Sequence, residues 1–554
     1  MKTIVAIFSS LFLSVVQLHA QNYPQGYFRH PLNIPMELVA NFGEIRTNHW
    51  HMGLDIRTQQ KVNLPVYAAA EGFVSRIVVE PGGFGQAIYI DHPNGFTTLY
   101  AHLNTFFPAL AEYIKQEQYA RESWKVDLRF QAHQFPVAKG MFIALSGNTG
   151  GSAGPHVHFE IRDTKTEKVL NPLLFRMPIA DAVPPTISRL AMYDRNLSTY
   201  MQPPQLLNIQ NTNGKLIRVG SDKVSFAVGA VDRFTGSANP NGIYSARVSI
   251  DGKPISEFVL DNIDYNESRY INAQIDYSFA ARGGAMLQHI SPLPGAKEVG
   301  YNTFDGDGII HLDDFAAHNI SIEVKDANGN TSKVAFKVQR DTSLPPATEP
   351  IVETFLPNHV NVFDRSEFQL FTTEKTMYDA VPVRFSTAPG AAHAVSPQYN
   401  FLDASIPAHD SVTVKIKLQN GLSALQKERL VIKNTSGNKT FVQKGRISNG
   451  WATAKFRQFG SYQLFLDDQP PLINAVSPNL SKAASIAITP RDNFENIKSF
   501  RAELDGKWLM FTNDKGKTWR YKFDEHFPRG VHELKVVVED EAGNVAERVF
   551  SVKR

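Results

Sequence analysis

The stretch Gly154-Pro155-His156-Val157-His158-Phe159-Glu160 sets two histidines one residue apart, with a carboxylate two residues further on. In an extended strand alternate side chains share a face. His156, His158 and Glu160 then point one way, and Val157, Phe159 and Ile161 point the other way, into a core. Two imidazoles and a carboxylate on one rigid surface can hold a metal ion or move protons. The same row also suits a solvated polar face, and what decides is which other residues the chain delivers there. His51 and Asp55 lie four apart around Gly53. Gly53 and the run Asn48-His49-Trp50-His51 favour a loop feeding a strand, from which an imidazole and a carboxylate can converge on one ion. His49 is a rival to His51, but only His51 opens a His-x-Gly-x-Asp pattern. A further histidine, His102, closes Tyr100-Ala101-His102-Leu103.

Short strands must position these groups. Val66 to Ala69, Gly72 to Val79, Gln86 to Asp91 and Thr97 to His102 are rich in β-branched and aromatic residues and are separated by turns. Asn94-Gly95 marks a hairpin, which makes the preceding His92 a turn residue and not a ligand. Gly82-Gly83-Phe84-Gly85 lacks the Lys-Ser/Thr and following helix of a phosphate loop, and reads as a flexible loop. Residues 108–134 break the pattern. Leu110, Tyr113, Ile114, Glu117 and Arg121 suit an amphipathic helix, and Trp124 to Phe130 an extended continuation, together an insertion flanking the site. Val137 to Leu145 is again strand, followed by Ser146 to Gly154, whose four glycines allow a sharp bend and close approach to a ligand.

Three blocks in order, His51-Met52-Gly53-Leu54-Asp55, Tyr100-Ala101-His102-Leu103, and Ser146-Gly147-Asn148-Thr149-Gly150 leading into His156-Val157-His158, resemble the lysostaphin-like (LytM-type) zinc metallopeptidases that cut peptide cross-links of bacterial cell walls. Pro65-Val66-Tyr67-Ala68-Ala69 and Val137-Ala138-Lys139-Gly140 also match, and the resemblance covers about residues 40–165. It implies zinc as cofactor, with His51, Asp55 and His158 as ligands and His102 and His156 as unligated catalytic histidines beside the metal. It further implies peptidoglycan peptide stems as substrate and hydrolysis by zinc-activated water. Sequence leaves open which of His102 and His156 takes the proton. A non-catalytic wall scaffold or amidase activator on the same fold is the alternative, and the intact set of five residues weighs against it. Glu160 is a candidate partner of a metal-bound imidazole, but an exposed strand carboxylate is the expectation for a charged residue there. Trp50 and Phe84 are candidates to wall the groove, with core or loop packing as the other reading.

The 57 Lys and Arg against 54 Asp and Glu leave a net charge of +3 with no basic stripe, which excludes a nucleic-acid footprint. Residues 1–20, with Lys2, a mostly apolar run from Ile4 to Val16 and Ala20 before Gln21, read as a cleaved signal peptide. The run is short of the ~20 residues a membrane span needs. With no cysteine there is neither a lipid anchor at the cleavage point nor a disulfide framework. The expected setting is the periplasm or cell envelope, with no stable membrane span after cleavage.

The expected fold is mostly β: a small antiparallel β-sheet peptidase domain over 21–180, then immunoglobulin-like β-sandwich domains. Pro-Pro pairs at 184–185, 345–346 and 470–471 mark stiff linkers. Asp326-Ala-Asn-Gly329-Asn330 and Asp540-Glu-Ala-Gly543-Asn544 are alike, and resemble the last turn of bacterial immunoglobulin-like sandwiches. Asp251-Gly252 and Asp505-Gly506 are matching internal hairpins. Sandwiches are therefore expected near 185–340 and 471–554, with a third β-rich domain over 347–468. These units are open to spacer, wall-binding or envelope-partner roles. Their Asp-rich turns could hold calcium, but Asp and Asn are what tight turns require in any case.

Overall fold

A computed structural model describes residues 23–212, 214–296, 300–345, 352–419 and 421–554. The expected signal peptide at 1–20 lies outside the described residues. The chain is mostly β, and no helix among the described residues is long and apolar enough to cross a membrane.

The amino-terminal unit is an antiparallel sheet with strand order Leu38–Ala40, Leu54–Arg57, His156–Asp163, Phe96–Ala101, Gln86–Asp91, Gly72–Val79, Val126–Arg129. A smaller sheet of Pro65–Tyr67, Phe142–Ser146 and Leu103–Phe106 covers it. Leu54, Ile56, Ile88, Tyr100, Val157, Phe159 and Ile161 fill the core, so the alternation read in the histidine strand is the one the fold uses. The insertion forms a helix, Pro108–Ala120, with Pro108 in the first turn, where its missing N–H costs nothing. Leu110 and Ile114 anchor it on the same core, and Val126–Arg129 then adds a strand to the sheet edge.

Two sheets follow over Thr186–Arg340, one built on Thr186–Asp194 and Lys223–Val231 and the other on Ser245–Ile250, Lys253–Val259, Ala317–Lys325 and Thr331–Arg340. Their shared core also takes in Phe42, Trp50, Met52 and Val169 of the amino-terminal unit. Two five-stranded sheets around a third core span Val362–Leu466. The last unit, Ser485–Lys553, has a four-stranded and a two-stranded sheet and its own core. Asp251 and Gly252, like Asp505 and Gly506, all have positive φ, the geometry that makes Asp-Gly the preferred two-residue hairpin turn. The chain folds back so that this last unit meets the first: Lys115 pairs with Asp524 and Glu525, Glu122 with Arg501, and Tyr119 stacks on His526 at 3.7 Å.

Candidate metal centre

Antiparallel register places Asp55 directly across from His158, and Ala101 on the other side of the same residue. Three adjacent strands thus meet at one point. His102 leaves the third strand with φ 59°, a left-handed backbone that turns its ring toward the histidine strand. His51 arrives from the loop before Leu54. Gly53 is required there, because a Cβ would lie 2.5 Å from Phe159 O and 3.0 Å from the His158 ring.

The ligand-bearing atoms form a tight triangle. His51 Nε2 is 3.0 Å from Asp55 Oδ1 and 3.1 Å from His158 Nδ1, and the latter two are 2.9 Å apart. Zinc bonds of about 2.0–2.1 Å imply ligand separations of about 3.3 Å in a tetrahedron, so the triangle is close to that size. Both outer nitrogens are engaged. His51 Nδ1 donates to Asn41 O at 2.7 Å, and His158 Nε2 donates to Glu160 Oε1 at 2.9 Å. These bonds fix the tautomers so that two bare nitrogens and a carboxylate oxygen face one another, a donor set that calls for a cation. The surrounding carboxylates also favour positive charge at this point. Burial works against charge on His158, but Asp55 and Glu160 outweigh it and push its pKa up to about 9. Burial also disfavours charge on Asp55, yet His51, His156 and His158 hold it well below the usual carboxylate range.

His102 and His156 stand beside this triangle with ring centroids 4.7 Å apart. His102 Nδ1 donates to Thr149 O at 2.8 Å, and His156 Nδ1 to Gly154 O at 2.8 Å. Both therefore keep Nε2 free. His156 Nε2 is buried, 3.3 Å from Asp55 Oδ1, and has no hydrogen-bond partner. All five residues singled out in the sequence line one groove of about 760 Å³, walled by Arg46, Arg57, Phe84, Gly151–Gly154 and Tyr265.

Several expectations change. Glu160 is not an exposed strand carboxylate; it is fully buried. Burial alone would raise its pKa, but Arg162, 2.6 Å away, and His158 lower it to about 2. Arg162 continues the period-2 face and could have been found that way. Tyr265, whose hydroxyl donates to Glu160 Oε1, comes from the next β-unit and had no local signal. Trp50 belongs to the core shared with that unit and not to the groove, whereas Phe84 does line the groove. The glycine loop at 82–85 is held rather than loose: Gly151 N donates to Gly83 O, and Gly82 N to Asp514 O of the last unit. His92 is buried, bonded to Glu71 O and Thr98 Oγ1, away from the site.

Residues 49–120 match the family described as Peptidase family M23, and residues 352–467 match a Zu5-like domain. The amino-terminal unit is thus an M23, LytM-type peptidase domain. Over 163 residues, 28% of this chain, it is 29% identical to a Haemophilus influenzae protein named "Uncharacterized metalloprotease", of which the match covers 28%. Over 139 residues, 25% of this chain, it is 32% identical to the DD-carboxypeptidase/endopeptidase Mpg of Neisseria meningitidis, of which the match covers 23%. The peptidoglycan DD-endopeptidase ShyA of Vibrio cholerae is 26% identical over 166 residues, 29% of this chain and 32% of that protein. The matched stretch therefore spans about a quarter to a third of each relative.

Proposed function

We propose that the protein is an exported zinc metalloendopeptidase that hydrolyses peptide cross-links of bacterial peptidoglycan. The observation that carries the reading is the triangle of His51 Nε2, Asp55 Oδ1 and His158 Nδ1, with both outer nitrogens tied down and two further histidines alongside. His51, Asp55 and His158 would hold the metal, leaving a fourth position open. Bound zinc supplies a Lewis acid and lowers the pKa of water from about 15.7 to about 7.

The chain's own residues do the rest. Asn41 O and Glu160 orient the two ligand imidazoles, so the metal is met by preformed lone pairs and not by mobile rings. His102 and His156, each pinned through Nδ1 to a backbone carbonyl, present Nε2 as proton acceptor when neutral and as donor once protonated. One accepts the proton released as water adds to the scissile carbonyl. The other donates to the developing oxyanion or to the leaving amine. The groove beside them, with Arg46 and Arg57 on its wall, accommodates an extended peptide stem carrying carboxylates. The names carried by the relatives from Neisseria and Vibrio support this substrate class.

The test is zinc content together with release of new peptide ends from purified sacculi, for the wild type and His158→Ala. Wild type should carry one zinc and release ends; His158→Ala should lose both. Zinc-loaded wild type that releases nothing from sacculi or from defined cross-linked muropeptides would sink the enzyme reading in favour of a scaffold. Mass spectrometry of the muropeptide fragments identifies the bond cut.

A further inference from the structure

The β-units on either side of the Zu5-like region repeat three sequence features. Asp181-Ala-Val-Pro184-Pro185 is matched by Asp467-Asp-Gln-Pro470-Pro471. Asp232-Arg233-Phe234 is matched by Asp492-Asn493-Phe494. Asp326-Ala-Asn-Gly329-Asn330 is matched by Asp540-Glu-Ala-Gly543-Asn544. In both units the fold gathers the three leading aspartates, and only those. One carboxylate oxygen from each of Asp181, Asp232 and Asp326 lies within 4.8 Å of the others, and the same holds for Asp467, Asp492 and Asp540. The members come from a linker, the stretch after a strand (Asp232 directly after Lys223–Val231, Asp492 in the loop after Ser485–Ile488) and a hairpin, so no single turn explains their meeting.

Turn chemistry accounts for part of each trio. Asp326 Oδ1 accepts from Asn328 N and Asn330 N, and Asp540 Oδ1 from Gly543 N and Asn544 N. It does not account for the middle member. Asp232 is 2% exposed, and its Oδ1 is buried with no hydrogen-bond partner. Asn241, bridged to Asp232 through the backbone, has its buried Oδ1 unpartnered as well. In the second trio Asp492 Oδ2 accepts from Phe494 N, while Oδ1 is again buried and unpartnered. Leaving a buried acceptor unmet is costly, and gathering three carboxylates adds mutual repulsion. Burial first, then the neighbouring carboxylates, raise the pKa of Asp232 to about 7 and of Asp467 to about 6. An unmet buried acceptor that recurs at the middle member of both trios has the character of a ligand shell.

We propose that each trio binds one calcium ion and so fastens a Pro-Pro linker to the β-unit that follows it. The donors are all oxygen, without imidazole or thiolate, which selects a hard cation over zinc. Calcium accepts carboxylates, amide and backbone carbonyls and water in a flexible shell of six to eight oxygens. Asn241, joined to Asp232 by a backbone bridge, carries a buried, unpartnered amide oxygen that could serve as a neutral ligand. Asp181 precedes Pro184-Pro185 and Asp467 precedes Pro470-Pro471, so each ion would join a linker to a strand end and a hairpin of the next unit and set the angle between units.

The experiment uses the full, zinc-loaded chain in calcium-free buffer, titrated with CaCl2 by calorimetry and followed by thermal melts. Two calcium ions per chain are expected, with a higher melting temperature. Asp232→Asn and Asp492→Asn should each bind one ion, and the double variant none. The sign of the stability change separates ligation from ordinary packing. Without calcium, Asp232→Asn should melt no lower than wild type, because a repelled carboxylate has been removed; with calcium it should melt lower. Wild type that takes up no calcium, variants that still take two ions, or the same two-ion uptake and melting shift with MgCl2 alone would overturn the calcium assignment.

Discussion

The first and last β-units both touch the peptidase domain, but by different chemistry. The first shares a core with it: Phe42, Trp50, Met52 and Val169 pack among Phe258, Ile263, Ile271 and Ile290, and Val169–Leu170 pairs as a strand with Asn262–Ile263. The last meets it mainly through ion pairs, one ring stack and a loop whose Lys515 Nζ donates to Asn148 O, Gly150 O and Ser152 O at 2.7–3.0 Å. Continuous apolar cores and shared strands make a permanent joint; exposed polar contacts make a releasable one. The difference reaches the candidate metal site. The first unit holds both residues that orient His51 and His158: Asn41 exchanges two hydrogen bonds with Gly242, and Tyr265 binds Glu160. The last holds only the loop beside His102 and His156.

Deletion breaks this comparison most directly. A chain ending at residue 180 exposes Trp50, Met52 and Phe42 and loses the anchors of Asn41 and Glu160, so it should aggregate or fail to hold zinc. A chain ending at residue 468 should stay folded, retain zinc and keep measurable hydrolysis. Gel filtration, zinc content and muropeptide turnover of the two chains check this. Equal behaviour of the two would remove the distinction.

A smaller cut sharpens it. Tyr265→Phe removes one hydrogen bond to Glu160 without opening a cavity. Loss of an outer partner of a metal ligand typically costs about 10–100-fold in metal affinity, and a loss toward the lower end is expected, since Arg162 still holds the carboxylate. Competition against a zinc chelator measures it.

The inner half of this site was legible in the sequence because it is local. A period-2 strand gave His156 and His158 a common face, and His51 and Asp55 stand close enough to converge from one loop and strand. The outer half was not. Whether Glu160 is wet or buried depends on Tyr265, which is remote in sequence and carries no pattern of its own. Trp50 could not be assigned to groove or core before the surface that covers it was known. The helix at 108–120 was legible as a helix, but its outer face docks the last unit, and nothing in its own spacing says so. The aspartate trios show the same limit: Asp326 and Asp540 were visible as turn residues, and only the fold gathers them with Asp181, Asp232, Asp467 and Asp492.

Acid and salt should act on different joints. His289, in the first β-unit, is 1% exposed with both ring nitrogens unpartnered, and burial, helped by Arg195, lowers its pKa to about 3. The folded form therefore stays neutral while the unfolded chain takes a proton below about pH 6.5. Stability is full above that pH and falls as pH drops from about 6.5 toward 3. Between pH 6.5 and 5 the loss from this group is up to about 2 kcal/mol. Urea melts of wild type and His289→Leu at pH 7 and pH 5 should show the variant losing less. Moderate salt should barely change that difference, whereas it should weaken the exposed pairs of the last unit.

The smallest effect tests whether the releasable joint matters to chemistry at all. Lys515 and Asp514 hold the loop that carries Thr149 O, the carbonyl that orients His102, and Gly150 N donates to Asp514 Oδ1 at 2.7 Å. Gly85 and Gly150 approach so closely that a Cβ on either would lie within 2.5 Å of the other's backbone nitrogen, so the two loops move as one body. Lys515 is exposed, and its bonds to the loop should be worth on the order of 1 kcal/mol. Lys515→Ala should thus lower kcat by roughly five-fold, the rate equivalent of that energy, with zinc content unchanged. High salt should bring the wild type toward the variant's rate. An unchanged kcat in Lys515→Ala would make the last unit a spacer; a raised one would make it a brake on the groove it touches.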